Sequence, residues 1–296
     1  MQPVFNRIGE TSDRLGESPI WSISEQALYW IDIRGQKIRR YSAASGHIDS
    51  WNTPSLPGSI GFCDDGRLIV AQKSSIDMFD PKTGSLTTVA SPEFDDPDVR
   101  FNDGRVDRQG RFWVGSMNDV TRAPVGHLYR IGADLKPVPM FGGIRCPNSL
   151  CWSPRSDYMY FADSDLRTIF EYDFDAVAGE PKAPRPLAEI AGNPVPDGCI
   201  VDADGCLWCA IYGAGQVIRY TPSGKIDRII ETPVSQPTSC AFGGADLKTL
   251  YVTTAFQRLS EEQLGKEPLA GALLAIELDV SGLAEPLFLS SGRRGE

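Results

Sequence analysis

"RFNDGRVDRQGRFWVGSM", residues 100–117, contains three features in order: a polar tripeptide at Asn102-Asp103-Gly104, a polar turn "DRQG" at 107–110, and a run led by Phe112, Trp113 and Val114. Aromatic and β-branched residues fit a pleated, half-buried surface, and the Asp/Gly punctuation between them reads as a hairpin turn. The same order recurs along the chain. "ALYWIDI", "RLIVAQK", "RFWVGSM", "YMYFADS", "CLWCAIY" and "TLYVTTA" are alike, and counting from Leu28, Leu68, Phe112, Met159, Leu207 and Leu250 the spacings are 40, 44, 47, 48 and 43 residues. Most of these runs follow a polar turn such as "DDG" or "DADG", and each is followed by a second strand-like run such as "HLYRIGADL" or "QVIRYTPSG". A period of this length built from paired strands is the signature of β-propeller blades. The expected fold is therefore all-β: a six-bladed β-propeller with about four antiparallel strands per blade, covering 1–296 as one domain. Residues 1 to 10 should add a strand to the blade formed by the C-terminal segment. A sandwich or solenoid would give shorter spacings or leave exposed edges.

The bulk composition narrows the function classes. Lys and Arg number 29 against 39 Asp and Glu, a net charge of −10. A surface this acidic repels phosphate backbones and anionic lipid, so nucleic acid and membranes are poor partners. The opening stretch "MQPVFNRIGETSDRLGESP" has no basic region followed by an apolar one, so no signal peptide is expected. The seven cysteines lie mostly within apolar strand-like runs and form no paired zinc motif. They read as buried free thiols in a reducing cytoplasm, the expected compartment. With two histidines, His47 and His127, a histidine-rich metal site or a catalytic triad is disfavoured. Trp21, Trp113, Trp152 and Trp208 are expected to fill the inter-blade core. A monomer is the default for a closed ring.

The innermost strand of each blade lines the axis and precedes the marker strand. Upstream of the markers lie "GESP" (16–19), "PGS" (57–59), "FNDG" (101–104), "PNS" (147–149), "PDG" (196–198) and "PTS" (237–239). Glu17, Gly58, Asn102, Asn148, Asp197 and Thr238 fall 11, 10, 10, 11, 10 and 12 residues before their markers. Equivalent positions in blades related by rotation point to the same place, so Glu17, Asn102, Asn148 and Asp197 should converge at one mouth of the channel. Taken singly, these tripeptides are ordinary turn sequences; the shared offset is what sets them apart. Clustered carboxylates repel unless a cation neutralises them. Carboxylates with amide oxygens form a hard-oxygen donor set for one divalent cation, Ca²⁺, Mn²⁺ or Mg²⁺, with Zn²⁺ or Fe²⁺ tolerated. Few protein donors would leave positions open for water or substrate. In the same stretch as Asp197, the pair Asp202 and Asp204 reads as a solvated outer hairpin turn.

"RLGESPIW" (14–21), "RFNDGRVDRQGRFWVGSM" (100–117), "PNSLCWSP" (147–154), "PDGCIVDADGCLWCAIYGAGQVIRYTPSGK" (196–225) and "TSCAFGGADLKTLYVTTA" (238–255) together resemble the regucalcin (senescence marker protein)/gluconolactonase family of six-bladed sugar lactonases. The resemblance implies that Glu17, Asn148 and Asp197 bind a single divalent cation. It implies that Asp197 is also the general base, and that Arg100 and Asn102 contact the sugar. In some members an acidic loop residue after the "GTM"-like segment touches substrate; here "GSMNDVTRAPVG" offers Asn118 and Asp119 but no glutamate, making Asp119 the candidate. The implied reaction is hydrolysis of an aldono-lactone, with the small sugar lactone as the partner. Three other readings share these features in part: a calcium-binding regulatory protein without turnover, an interaction scaffold with an unused channel, and a phosphotriesterase- or paraoxonase-like enzyme. The scaffold would place apolar or random residues at the channel positions, whereas these are polar.

Overall fold

In the computed structural model, which describes residues 4–290, six four-stranded antiparallel sheets succeed one another around an axis. Blade 1 comprises Gly16–Ser22, Ala27–Asp32, Lys37–Ser42 and Ile48–Asn52, in spatial order from the axis outward. The innermost strands of blades 2 to 6 are Ser59–Phe62, Val99–Val106, Pro147–Trp152, Val195–Val201 and Pro237–Gly243. Each marker run forms the second strand of its blade, as the spacing predicts. Blade 6 takes its outermost strand from the N-terminus: Asn6, Arg7 and Ile8 pair antiparallel with Ala275, Leu274 and Leu273. That exchange closes the ring, since one blade holds strands from both the first and the last part of the described chain.

The turns between first and second strands follow from their side chains. In blade 3, Asp107 Oδ1 accepts from the N–H groups of Gln109 (2.9 Å) and Arg111 (3.0 Å). In blade 5, Asp202 Oδ1 accepts from Asp204 (3.0 Å) and Cys206 (2.9 Å). Gly110 and Gly205 close these turns at φ +81° and +83°, a backbone region costly for other residues. The other oxygen of each aspartate reaches inward, to Trp113 Nε1 at 2.8 Å and Trp208 Nε1 at 2.9 Å. Asp202 is fully buried and also holds Arg219, whereas Asp204 is exposed. The expectation of a solvated acidic pair is therefore corrected for Asp202: an indole and a guanidinium behind the turn give its carboxylate the partners that burial requires.

Six apolar clusters fill the six blade interfaces. Tyr29 and Ile31 pack on Ile60 and Val70 between blades 1 and 2. Trp113 packs on Trp152 and Met159 between blades 3 and 4, Trp208 on Phe242 and Val252 between blades 5 and 6, and Trp21 on Tyr251 between blades 6 and 1. All four tryptophans take the inter-blade role expected of them, and truncating a buried aromatic of this kind costs about 3–5 kcal/mol. The seven cysteines are free and buried. No helix of the described residues is long and apolar enough to cross a membrane.

The two ends of the channel differ. The segment after Leu273–Glu277 runs across the end formed by the first-to-second-strand turns. Ala203 donates to the Ser281 carbonyl, Gly282 to Leu247, Phe288 to Phe62 and Leu289 to Gly110. Glu285 thereby lies 3.8 Å from Arg105, which projects from the innermost strand of blade 3. This strap was not read from the sequence. The opposite mouth stays open, and it is the one at which the candidate site residues gather.

Candidate functional site

The innermost strands carry a shared irregularity. Pairing with the second strand breaks between Glu17 and Ile20, Phe101 and Gly104, Asn148 and Cys151, Pro196 and Cys199, and Pro237 and Ser239. A β-bulge kinks its strand and re-aims a side chain. Here it turns Glu17, Asn102, Asn148 and Asp197 toward the axis near the open mouth. Blade 2, whose equivalent position is Gly58, pairs without a break. A Cβ at Gly58 would come within 2.6 Å of the Phe101 carbonyl oxygen, so blade 2 supplies close approach in place of a side chain.

Hydrogen bonds between blades fix these bulges. Ser18 and Ser149, directly after Glu17 and Asn148, hold φ +49° and +60°. The Ser18 hydroxyl accepts from Ile60 N–H at 3.0 Å, and the Ser149 hydroxyl donates to the Asp197 carbonyl at 2.6 Å. Ser164 donates to the Pro196 carbonyl (2.7 Å), and Thr238 to the Gly16 carbonyl (2.5 Å). A second device anchors the approach to two of the strands. Asp32 accepts from the N–H groups of Arg14 and Leu15, ahead of Glu17. Asp163 accepts from those of Arg145 and Cys146, ahead of Asn148. Both aspartates close marker runs, "ALYWID" and "YMYFAD". Their recurrence was the signal by which these positioning residues could have been found.

The four predicted side chains line a single cavity of about 460 Å³. Glu17 and Asp197 are each 8% exposed and lie side by side. Burial pushes Glu17 well above the usual carboxylate range, and Asp197 and Asp103 beside it push further. Burial, then Asp103, does the same to Asp197. Asp103 retains some exposure and accepts from Leu150 N–H at 3.0 Å; burial raises it too. It is a third carboxylate that sequence reasoning left as a mere neighbour of Asn102. No lysine or arginine makes an ion pair with Glu17 or Asp197 among the described residues.

Asn148 Nδ2 donates to Ser164 Oγ at 2.8 Å, while Asn148 Oδ1 accepts from Asn102 Nδ2 at 3.2 Å and keeps a lone pair. Asn102 Oδ1 accepts from Arg100 at 2.7 Å. Among the described residues no group of three or more His, Cys, Asp or Glu side chains is poised to hold a metal. A cation here would take two carboxylates and the Asn148 amide oxygen. The donor set fits: two buried carboxylates side by side, with Arg122 acting on Asp197 only from beyond ion-pair distance, are the arrangement a divalent ion neutralises.

Arg100 is 3% exposed and lines the cavity. Its Nε lies 2.9 Å from Asp119 Oδ1 without hydrogen-bond alignment. Arg34 grips both Asp119 oxygens at 2.7 Å. Partial burial pushes the Asp119 carboxyl upward, but Arg34 and Arg100 outweigh it and hold the group down at about 2. Asp119 does not line the cavity: it stands behind Arg100 and Arg34. The lining also includes Arg34, Arg122 and Arg258, from loops outside the repeated motif, and Tyr212, the last residue of the marker run "CLWCAIY"; sequence reasoning singled out none of the four.

The fold is thus a six-bladed propeller with an acid-and-amide cluster at the floor of its one open mouth. The SMP-30/gluconolactonase/LRE-like region matches residues 15–256. The chain belongs to this family. It is 36% identical to 6-deoxy-6-sulfogluconolactonase of Pseudomonas putida over 93% of this chain and 94% of that one. It is 34% identical to L-arabinolactonase of Azospirillum brasilense over 97% and 96%. The solved structure of regucalcin, a calcium-binding protein from Agrobacterium tumefaciens, superposes with a TM-score of 0.91 at 30% identity, covering 95% of this chain and 96% of that one.

Proposed function

We propose that the protein hydrolyses a sugar lactone to its open-chain acid, using one divalent cation held by Glu17, Asn148 and Asp197. The observation that carries this reading is the pair of buried carboxylates, Glu17 and Asp197, neither of them in an ion pair among the described residues, set beside the Asn148 amide on the wall of an open cavity. The relatives named as lactonases support the reaction class, and the regucalcin structure, titled a calcium-binding protein, supports the cation. Bound there, the cation supplies Lewis-acid polarisation of the lactone carbonyl. Ca²⁺, Zn²⁺, Mn²⁺, Mg²⁺ and Fe²⁺ all accept such oxygen donors.

The chain's own groups do the rest. Asp197 takes a proton from the attacking water at a carboxylate oxygen and returns it to the ring oxygen as the acyl C–O bond breaks. Arg100 and Asn102 hydrogen-bond the sugar hydroxyls and hold the carbonyl in place. Asp119, through its pairing with Arg100 and Arg34, fixes where those guanidiniums sit. The strap over the far mouth leaves one entrance for substrate.

A second reading, cation binding without turnover, is favoured by the same relative, regucalcin, a calcium-binding protein. A pH-indicator assay of the metal-stripped protein against a panel of aldono-lactones, each cation added back in turn, separates the two. Turnover restored by at least one cation is expected. Silence across the whole panel, with cation binding still seen by calorimetry, would leave the second reading standing.

A further inference from the structure

Four arginines line the open cavity of a protein whose net charge is −10. Two of them, Arg34 and Arg100, are answered by Asp119. The other two, Arg122 and Arg258, make no ion pair among the described residues. Of the three carboxylates on the lining, Glu17 and Asp197 are the cation's donors in the reading above, and exposed Asp165 is in ion-pair contact with neither arginine. With a divalent cation bound, and with Asp119 and Asp103 counted beside the lining, the four arginines and the cation exceed the five carboxylates by one positive charge.

Both arginines are placed to face a ligand. Arg122 lies in the loop between the second and third strands of blade 3, half-buried, with its guanidinium beside the Cys146 thiol and with Asp165 and Asp197 acting on its charge only from beyond ion-pair distance. Its carbonyl accepts from Arg145 at 3.0 Å, which pins the loop. Arg258 occupies the corresponding loop of blade 6, diametrically across the ring, and is exposed. Both residues hold left-handed backbone, at φ +56° and +64°, which an arginine adopts only at a cost its surroundings offset. An unpaired guanidinium half-removed from water is costly unless an anion meets it, and a fork of donors suits an oxyanion.

We propose that the lactone this site takes carries an anionic substituent remote from its carbonyl, a phosphate, sulfonate or carboxylate, bound by Arg122 and drawn in by Arg258. The proposal rests on the lactonase reading for the identity of the sugar ring, but not for the anion site itself. Local positive charge in a cleft concentrates an anionic ligand even on a protein of the same overall sign.

The test has two arms. In the first, kcat/KM is measured with the preferred cation for glucono-lactone and for its 6-phospho, 6-sulfo and 6-carboxylate counterparts, which distinguish the anions. The charged-to-neutral ratio is expected to exceed about tenfold. It should fall at least about tenfold in Arg122→Gln, less in Arg258→Gln, and shrink as salt is raised. A ratio near one in the unaltered protein, or a ratio unchanged in both variants, overturns the proposal while leaving the lactonase reading intact. In the second arm, calorimetry compares 6-phosphogluconate with gluconate on the cation-loaded protein and on Arg122→Gln. Tighter binding of the phosphorylated acid, lost in the variant, is expected; equal affinities overturn the anion site. If no lactone is turned over at all, the lactonase reading falls and the second arm alone decides the subsite.

Discussion

Asp197 and Asp202 lie five residues apart on one hairpin of blade 5 and are both buried, at 8% and 0% exposure. Their partners differ completely. Asp202 spends both oxygens on the turn's N–H groups, the Trp208 indole and the Arg219 guanidinium. Asp197 faces Glu17 and Asp103 with no ion pair among the described residues, and Arg122 offsets them only from beyond ion-pair distance. Burial therefore does not separate the functional carboxylate from the structural one; the sign of the charge beside it does. A buried acid met by cations and donors holds a fold together, whereas one met by other acids is incomplete without a ligand.

Exchanging each carboxylate for a neutral group breaks the comparison in opposite ways. Asp197→Asn should leave the unfolding midpoint unchanged or raised, because it removes like-charge repulsion, while kcat falls about 10²–10⁴-fold, the usual worth of a general base. Full turnover in that variant with the cation bound would return Asp197 to a purely ligating or structural role. Asp202→Ala should do the reverse. Removing one partner of a buried pair costs about 3 kcal/mol, read as a lower denaturation midpoint, while the folded fraction keeps its kcat. Wild-type stability in this variant would show that Asp227 and Asp204, which also touch Arg219, suffice to hold it.

Asp119 sharpens the contrast from an intermediate position, since it is structural in its pairing yet adjoins the site. Asp119→Asn leaves Arg34 and Arg100 without their shared acid and should raise KM more than it lowers kcat. Its stability penalty depends on pH in a defined direction. The folded carboxyl lies at about 2, below the ordinary value of 3.8, so the pairing stabilises fully above 3.8 and is lost as pH falls toward 2. Urea midpoints of the two proteins should differ at pH 6 and converge near pH 2; a constant gap would mean that the charge of Asp119 is not what holds the arginines. The smallest effect belongs to Asp204→Ala. This exposed carboxylate is one of three that hold the Arg219 guanidinium, and with Asp202 and Asp227 still in place its loss should change stability by less than about 1 kcal/mol in a thermal melt.

The repeat was legible because a propeller writes its symmetry into the chain. Each blade must present apolar strands on both faces to its neighbours, so the marker runs recur, and the polar position ahead of each recurs with them. Glu17, Asn102, Asn148 and Asp197 could be placed together from that offset alone. The strand from residues 6–8 that closes the ring was likewise foreseeable, since the last blade is one strand short without it. The sequence by itself thus determined the architecture, the mouth at which the polar residues meet and the oxygen-rich character of the cluster. Only the tertiary structure decided which charges are paired. Asp202 turned out to be buried because Trp208 and Arg219, six and seventeen residues on, fold back over its turn. Asp119 stands behind Arg100 because Arg34, from another blade, reaches it. The two unanswered arginines at the rim come from loops that obey no repeat. The physical reason is common to all three: periodicity reports where the backbone goes, but the state of a charge depends on neighbours that sequence distance does not reveal.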